Sequence, residues 1–337
     1  MGIIGLMRYR LILATVLLII GLILIYKGSG SKELLSPVPS PLPLWSIRSI
    51  DTMKYSRDIA REKSGDASFD KVIEQQVKSI AETGASHIGV ATPYDEEFIP
   101  YLTRWVNMAR KYKLKVWFRG NFSGWEQWFD HDRITRSQHL QLTTKFITSN
   151  PNLFEDGDIF TPCPECENGG PGDPRMNGDV IGHKQFLIDS TRVGKDAFVV
   201  IRKNVEVGYH SMNYDVAMAV MDKETTAAVG GIVAIDHYVS SSEKMIKDID
   251  VIKERSGGKI FLGEFGAPIP DLNGKMTEDQ QAEWLKTTLD LLVKNNSIVG
   301  LNYWVNVGGS TQLWEDDGKA RKAVEILTSY YSQLRSI

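Results

Sequence analysis

The 337-residue sequence predicts an α/β protein, a (β/α)8 TIM barrel preceded by an N-terminal transmembrane anchor helix. Three observations lead there. Leu11 to Tyr26 is an uncharged apolar run unlike anything that follows it. A Gly-, Ser- and Pro-rich stretch comes next, including Ser36-Pro37-Val38-Pro39-Ser40-Pro41-Leu42-Pro43; it cannot bury a core and tends to extended polyproline geometry. From Leu44 onward, short apolar runs alternate with longer amphipathic ones, the pattern of strands and helices in a parallel α/β fold.

The apolar run follows Arg8 and Arg10. With the partly apolar Gly2 to Met7 and some tilt, it sits near the lower limit of the roughly 17 to 25 residues that span a bilayer. Tyr26-Lys27-Gly28-Ser29-Gly30-Ser31 carries no Ala-x-Ala cleavage pattern, which favours an uncleaved anchor over a signal peptide. Arginines on the amino side hold that side in the cytoplasm and send the rest outside. The expected organisation is therefore a cytoplasmic stub and anchor over 1–27, a linker over 28–43 and the barrel over 44–337. The expected location is a single-pass membrane protein whose barrel is extracytoplasmic.

Composition narrows the partners. Hydrophobic residues make up 42% and charged residues 24%, enough apolar material for one large core. The net charge of -3 comes from 39 basic and 42 acidic residues mixed along the chain, so nucleic acid is not expected as a partner, and a monomer is.

Strands are expected at Leu44 to Ile50, Ser86 to Ala91, Leu114 to Arg119, Asp158 to Pro162, Val205 to Tyr209, Gly231 to Asp236, Lys259 to Gly263 and Val299 to Trp304. Helical periodicity covers Phe69 to Thr83, Phe98 to Lys113, Ser137 to Ser149, Ser242 to Arg255 and Glu278 to Asn295, with a final helix about Gly318 to Gln333. Thr277 with Gln280 forms a capping-box pattern, and Gly257-Gly258 stops the helix before it. This rhythm fits a barrel better than a doubly wound sheet, because Ile50-Asp51-Thr52-Met53-Lys54-Tyr55 after the first strand is not a Gly-rich phosphate loop.

In a barrel, chemistry sits at the carboxyl ends of the strands. The fourth strand runs into Thr161-Pro162-Cys163-Pro164-Glu165-Cys166-Glu167, and the seventh into Leu262-Gly263-Glu264-Phe265-Gly266. Each delivers a glutamate to the same rim. Cleavage of a glycosidic bond needs two carboxyl groups across the bond, one to protonate the leaving oxygen and one to attack the anomeric carbon or activate water. A carboxylate inside an apolar strand, as Glu264 is, is costly unless it serves a purpose.

Leu262-Gly263-Glu264-Phe265-Gly266 resembles the strand-seven nucleophile motif of clan A glycoside hydrolases, the cellulase-like barrel superfamily. Asp236-His237-Tyr238 is similar to the His/Tyr cluster that supports the nucleophile there. Asn302-Tyr303-Trp304 resembles its tryptophan floor under the sugar, and Arg119 with Asn121 fits its basic residue beside the nucleophile. The resemblance implies a retaining glycosidase with Glu264 as nucleophile and Glu165 as acid/base, acting on a poly- or oligosaccharide and needing no cofactor. The superfamily has Asn-Glu at the end of strand four where this chain has Pro164-Glu165 and Cys166-Glu167, so Glu167 stands as the alternative acid/base. That departure also keeps open a carbohydrate-binding barrel that lacks turnover or performs transglycosylation.

Candidate sugar contacts follow from the same rim. Trp125 and Trp128 lie in a polar loop after strand three, where rings can stack on sugar faces, with burial under the loop as the equal alternative. Trp314 is weighed the same way, while Trp105 and Trp284 lie inside helices and are expected to pack there. Asp51, with Lys54 and Arg57, could meet substrate hydroxyls or water, and Tyr209 and Asn213 stand after strand five. His237, Tyr238 and Trp304 complete the set. No His or Cys spacing matches a metal site, so no metal is expected; Cys163 and Cys166 are read as packing thiols or a small disulfide.

Overall fold

Apolar strand segments of a few residues, separated by amphipathic helices, need both faces of the sheet covered, and a sheet that curls on itself under an outer ring of helices achieves this. The computed structural model describes residues 44–333, and in it the chain does this. The anchor expected over 1–27 and the linker over 28–43 lie outside the described residues. Among the described residues no helix is long and apolar enough to cross a membrane.

The strands are β1 (Ile47–Asp51), β2 (His87–Val90), β3 (Lys115–Phe118), β4 (Ile159–Phe160), β5 (Glu206–Val207), β6 (Ser211–Asn213), β7 (Ile232–Asp236), β8 (Lys259–Phe265) and β9 (Ile298–Tyr303). They form one sheet in the order β5-β4-β3-β2-β1-β9-β8-β7-β6, and each paired neighbour is parallel. Only β5 falls within the fifth strand expected at Val205 to Tyr209; β6 lies beyond it, after a break at Gly208-Tyr209-His210. β5 pairs with β4 and β6 with β7, so the sheet closes through them into eight barrel positions. Gly208 donates to the Phe160 carbonyl at 3.1 Å and Glu165 to the Ser211 carbonyl at 2.7 Å, carrying the closure past the break.

The predicted helices form within a few residues of their expected ends, and both expected caps are present. Thr277 and Gln280 make a reciprocal capping box, and Gly257 ends Ser242–Ser256 in the left-handed conformation. Val180–Ile201, Tyr214–Val220 and Lys223–Ala228 add helices around β4 to β6 that periodicity does not single out. Gly194 explains part of this: a helix-weakening residue sits where a Cβ would come within 2.8 Å of the Val207 side chain, so close approach to β5 requires it.

The barrel interior is layered. Ile47, Trp117, Ile159, Tyr209, Ala234 and Phe261 form a buried plug inside the strands, with Trp117 and Phe261 edge-to-face at 5.0 Å. Because side chains alternate, the inward positions two residues further along are Asp51 above Ser49, Arg119, Thr161, Ser211 and Asp236: a polar layer stacked on an apolar one. Phe261 anchors that plug and touches both Trp117 and Tyr209. Phe261→Ala is expected to lower the unfolding free energy by about 3–5 kcal/mol in a denaturant titration; a loss below about 1 kcal/mol would mean the plug does not support the fold.

Candidate active site

Glu264 reaches the barrel mouth through an irregularity. On β8, Ile260 and Leu262 pack outward under the helices while Phe261 faces inward, so strict alternation would turn Glu264 outward. The register shifts at this point on both sides: Ile235 pairs with Leu262 but Asp236 with Glu264, and Leu262 pairs with Leu301 but Phe265 with Tyr303. One extra residue turns Gly263 and Glu264 both inward and returns Phe265 to the outer core. Gly263 is required, since a Cβ there would lie 2.5 Å from Asp236 Oδ1.

Arg119 occupies the centre. One guanidinium nitrogen donates to Asp51, and the other to Glu264 Oε1 at 2.7 Å and to Ser211 Oγ at 3.3 Å. Tyr238 donates its hydroxyl to the second oxygen of Glu264, Oε2, at 2.8 Å. Asp51 also accepts from the Met53 amide at 2.6 Å and from Asn302 Nδ2 at 3.2 Å. Burial alone would lower the Arg119 pKa, but Asp51 and then Glu264 hold it well above the ordinary value, so the group stays charged. Burial pushes Glu264 above the ordinary carboxylate range, with Arg119 and Tyr238 restraining the rise.

Glu165 approaches from the β4 loop, where its backbone is left-handed at φ 42 and ψ 45. Such a backbone is uncommon outside glycine and is held here by its surroundings. Cys163 and Cys166 are joined in a disulfide across it, and its amide is bonded to Ser211. Gly169 and Gly170 let the loop lie against Trp125, because a Cβ on either would fall within 2.3 Å of that residue's atoms. The result is that Glu165, Asp236 and Glu264 each present a carboxylate oxygen within 4.8 Å of the others. Glu165 is raised by burial and by Glu126 and Glu167, against the pull of Arg119. Glu167, the alternative, points elsewhere. Its Oε1 accepts from the Asn213 amide at 2.8 Å and from Asn213 Nδ2 at 3.2 Å, and it is outside the three-carboxyl group.

Several expected sugar contacts have other roles. Trp125 is 1% exposed, donates Nε1 to the Cys166 carbonyl at 3.1 Å and stacks on Phe186 at 4.9 Å, so it holds the Glu165 loop and offers no platform. Tyr209 lies in the apolar plug with its hydroxyl turned back to Glu206 at 2.5 Å, because the break after Gly208 reverses its direction. Asp51 is fully buried as the counter-ion of Arg119. His237 turns outward to Asp248 at 2.9 Å and supports Glu264 only through its amide, which donates to the Glu264 carbonyl at 2.8 Å. Asn121 is taken up by His139 at 3.0 Å and by its own loop. Trp314 is buried and lines a cavity of about 170 Å³ with Gln75 and Gln76, behind the strands.

Half-buried Trp304, Trp128 and exposed Asn213 remain at the rim. Trp304 meets Tyr238 edge-on at 6.0 Å and Lys54 at 5.7 Å, and Arg57 covers Trp128 at 4.1 Å. Sequence reasoning takes Asp236 only as the first residue of the Asp236-His237-Tyr238 motif and gives no role of their own to Ser211 and Glu126. Asp236 ends an apolar strand just as Glu264 nearly does, and that position was the available signal. A cavity of about 460 Å³ lined by Tyr94, Glu96, Phe122, Lys145 and Phe146 lies elsewhere and holds none of the three carboxyls.

No family model and no curated protein sequence matches the chain. Solved structures do. A GH5_18 protein from Bifidobacterium longum subsp. longum, in complex with Manβ1-4GlcNAc, aligns over 86% of this chain and 78% of its own, at TM-score 0.63 and 14% identity. Two fungal β-1,4-galactanases are represented by a structure matching 85% of this chain and 99% of its own, at TM-score 0.57 and 14% identity. A β-D-glucuronidase from Dictyoglomus thermophilum matches at TM-score 0.55 and 15% identity; this chain spans about half, 51%, of its length. The chain thus shares its barrel fold with these glycoside hydrolases.

Trp125→Ala separates support from sugar stacking. It is expected to cost about 3–5 kcal/mol of stability in a denaturant titration, as loss of a buried aromatic does. A cost under about 1 kcal/mol would return Trp125 to the list of sugar platforms.

Proposed function

We propose that the protein is a retaining glycoside hydrolase acting on a poly- or oligosaccharide, with Glu264 as nucleophile and Glu165 as acid/base. The observation that carries this reading is the approach of Glu165 and Glu264 to within 4.8 Å, oxygen to oxygen, at the carboxyl end of the barrel. Carboxyl groups about 5–5.5 Å apart suit double displacement, whereas inversion needs about 6.5–9.5 Å to admit a water.

The two carboxyls are differentiated by their partners. Both oxygens of Glu264 accept hydrogen bonds, from Arg119 and from Tyr238, which favours its ionised form. Glu165 has neither partner and keeps its proton more readily. In the first step Glu264 attacks the anomeric carbon, the glycosidic C–O bond breaks, and the Glu165 proton passes to the departing oxygen. Glu165, now a carboxylate, takes a proton from water, whose oxygen attacks the same carbon and releases Glu264. Trp304, beside Tyr238 and Lys54, suits the floor under the reacting sugar. The apolar run from Leu11 to Tyr26 supports a membrane-tethered enzyme whose barrel works outside the cytoplasm.

Sugar release from a panel of glycans tests the reading. Glu264→Gln is expected to lower kcat by about 10⁴-fold or more, and Glu165→Gln by about 10²- to 10⁴-fold on glycans with poor leaving groups. Full activity in Glu264→Gln would sink it.

The pH profile follows from the same contacts. Catalysis needs one proton on the pair: below the first ionisation Glu264 is neutral, and above the second Glu165 has none to give. Burial raises both, so a bell-shaped profile of kcat/KM is expected with both limbs above the ordinary carboxylate value of about 4.3. Tyr238→Phe removes a donor that favours ionised Glu264, so its pKa rises further. The acidic limb should move to higher pH and kcat fall roughly 10- to 100-fold. An unmoved acidic limb would show that Tyr238 does not act on the nucleophile.

A further inference from the structure

The proposed mechanism uses two carboxyls, but the site holds a third. Asp236 ends β7, pairs in register with Glu264 and is 5% exposed. Neither of its carboxylate oxygens meets a hydrogen-bond donor, although both are buried. Leaving such a group unpaired is costly, more so when it is charged. The cation acting on it is Arg119, whose charge is shared with Asp51, Glu264 and Glu165, so four carboxyls draw on one fixed cation.

We propose that Glu165, Asp236 and Glu264 together hold the protonated amine of an amino sugar, making the substrate a glycan with free, non-acetylated 2-amino groups. The inference rests on the glycosidase reading and adds the substrate class to it. An ammonium group offers three donors, and three acceptors each at about 2.8 Å from its nitrogen lie about 4.6 Å apart. The three oxygens lie within 4.8 Å of one another, which admits that tripod. A divalent ion would draw the oxygens in to about 3–3.5 Å of one another, given metal–oxygen lengths of about 2.0–2.6 Å. Arg119 and Tyr238, which already hold Glu264, oppose that contraction.

The position of the amine on the sugar also follows. Glu264 and Glu165 both act at the anomeric carbon, so a group held between them belongs to the carbon beside it. Glu165 can keep the proton it gives to the leaving oxygen, because a protonated carboxyl still accepts through its carbonyl oxygen. Burial, then the nearby Glu264, pushes Asp236 well above the carboxylate range, and an arriving cation favours its ionised form.

The test measures binding of thio-linked disaccharides, which resist hydrolysis, to the purified full-length protein at weakly acidic pH by calorimetry. The ligands differ only at C2, carrying an amine, an acetamide or a hydroxyl. The amine form should bind at least about tenfold more tightly than the hydroxyl form, the scale of a charge-assisted hydrogen bond, and Asp236→Asn should abolish that preference. Equal affinities overturn the proposal. So does a preference that survives Asp236→Asn, which would reflect general attraction to an acidic surface. If Asp236→Asn does not fold, the wild-type preference is followed with pH. It should fade both where the carboxyls protonate and where the amine loses its proton; a flat response overturns the proposal. Hydrolysis of the O-linked counterparts separates the two claims. Release from neutral glycans without preference for the amine leaves the glycosidase standing and removes the amino sugar. Release from none of them removes both.

Discussion

The Arg119 guanidinium, enclosed between Asp51 and Glu264 with less than 1% of its side chain open, is the contact around which the barrel mouth is arranged. Three charges out of water are tolerated only if each is paired and hydrogen-bonded, and removing one partner from such a group costs roughly 3–5 kcal/mol. The pairing recruits β1 through Asp51, β3 through Arg119, β6 through Ser211, β8 through Glu264 and β9 through Asn302. Gly89 on β2 leaves room for it, since a Cβ there would stand 3.1 Å from Asp51 Oδ2. The same interaction that closes the top of the barrel therefore orients Glu264 and favours its charged form.

Beneath it, the apolar plug of Trp117, Phe261 and their neighbours keeps water from reaching the ionic layer from below. Arg119 lies over the Trp117 ring at 4.8 Å, so the two layers are coupled through a cation–π contact. Above it, the Glu165 loop is held from several sides at once: the disulfide, the Ser211 carbonyl, and Trp125 against Gly169 and Gly170. None of these supports engages the Glu165 side chain, which stays free of a fixed side-chain partner and able to exchange a proton.

The architecture was largely legible because alternating strand and helix periods are set locally, and the strands lie where short apolar runs stand. The glutamates were legible too, as charged residues at strand ends. What escaped reading depends on events of a single residue. Taken as a strand ending at Gly263, β8 says nothing of the bulge that turns Glu264 inward. The break at Gly208 to His210 sends Tyr209 down into the plug, and no periodicity marks it. Trp125 could be weighed only as buried or exposed until Gly169 and Gly170 were seen to close on it. His237 and Asp51 stand beside functional neighbours in sequence but face other partners in space. Asp236 is legible only as part of its motif, because its own meaning comes from Glu165 and Glu264, which are near it only in three dimensions.

The central claim is that the two glutamates stand close enough for a covalent intermediate, with Arg119 and Tyr238 preparing one of them to attack. The most direct measurement is the anomeric configuration of the first-formed product, followed by proton NMR before mutarotation. Product released with the configuration of the substrate is the predicted result, since two displacements at one carbon restore it. Inverted product would contradict the account, because inversion needs carboxyls about 6.5–9.5 Å apart to place a water against the sugar, and here they come within 4.8 Å.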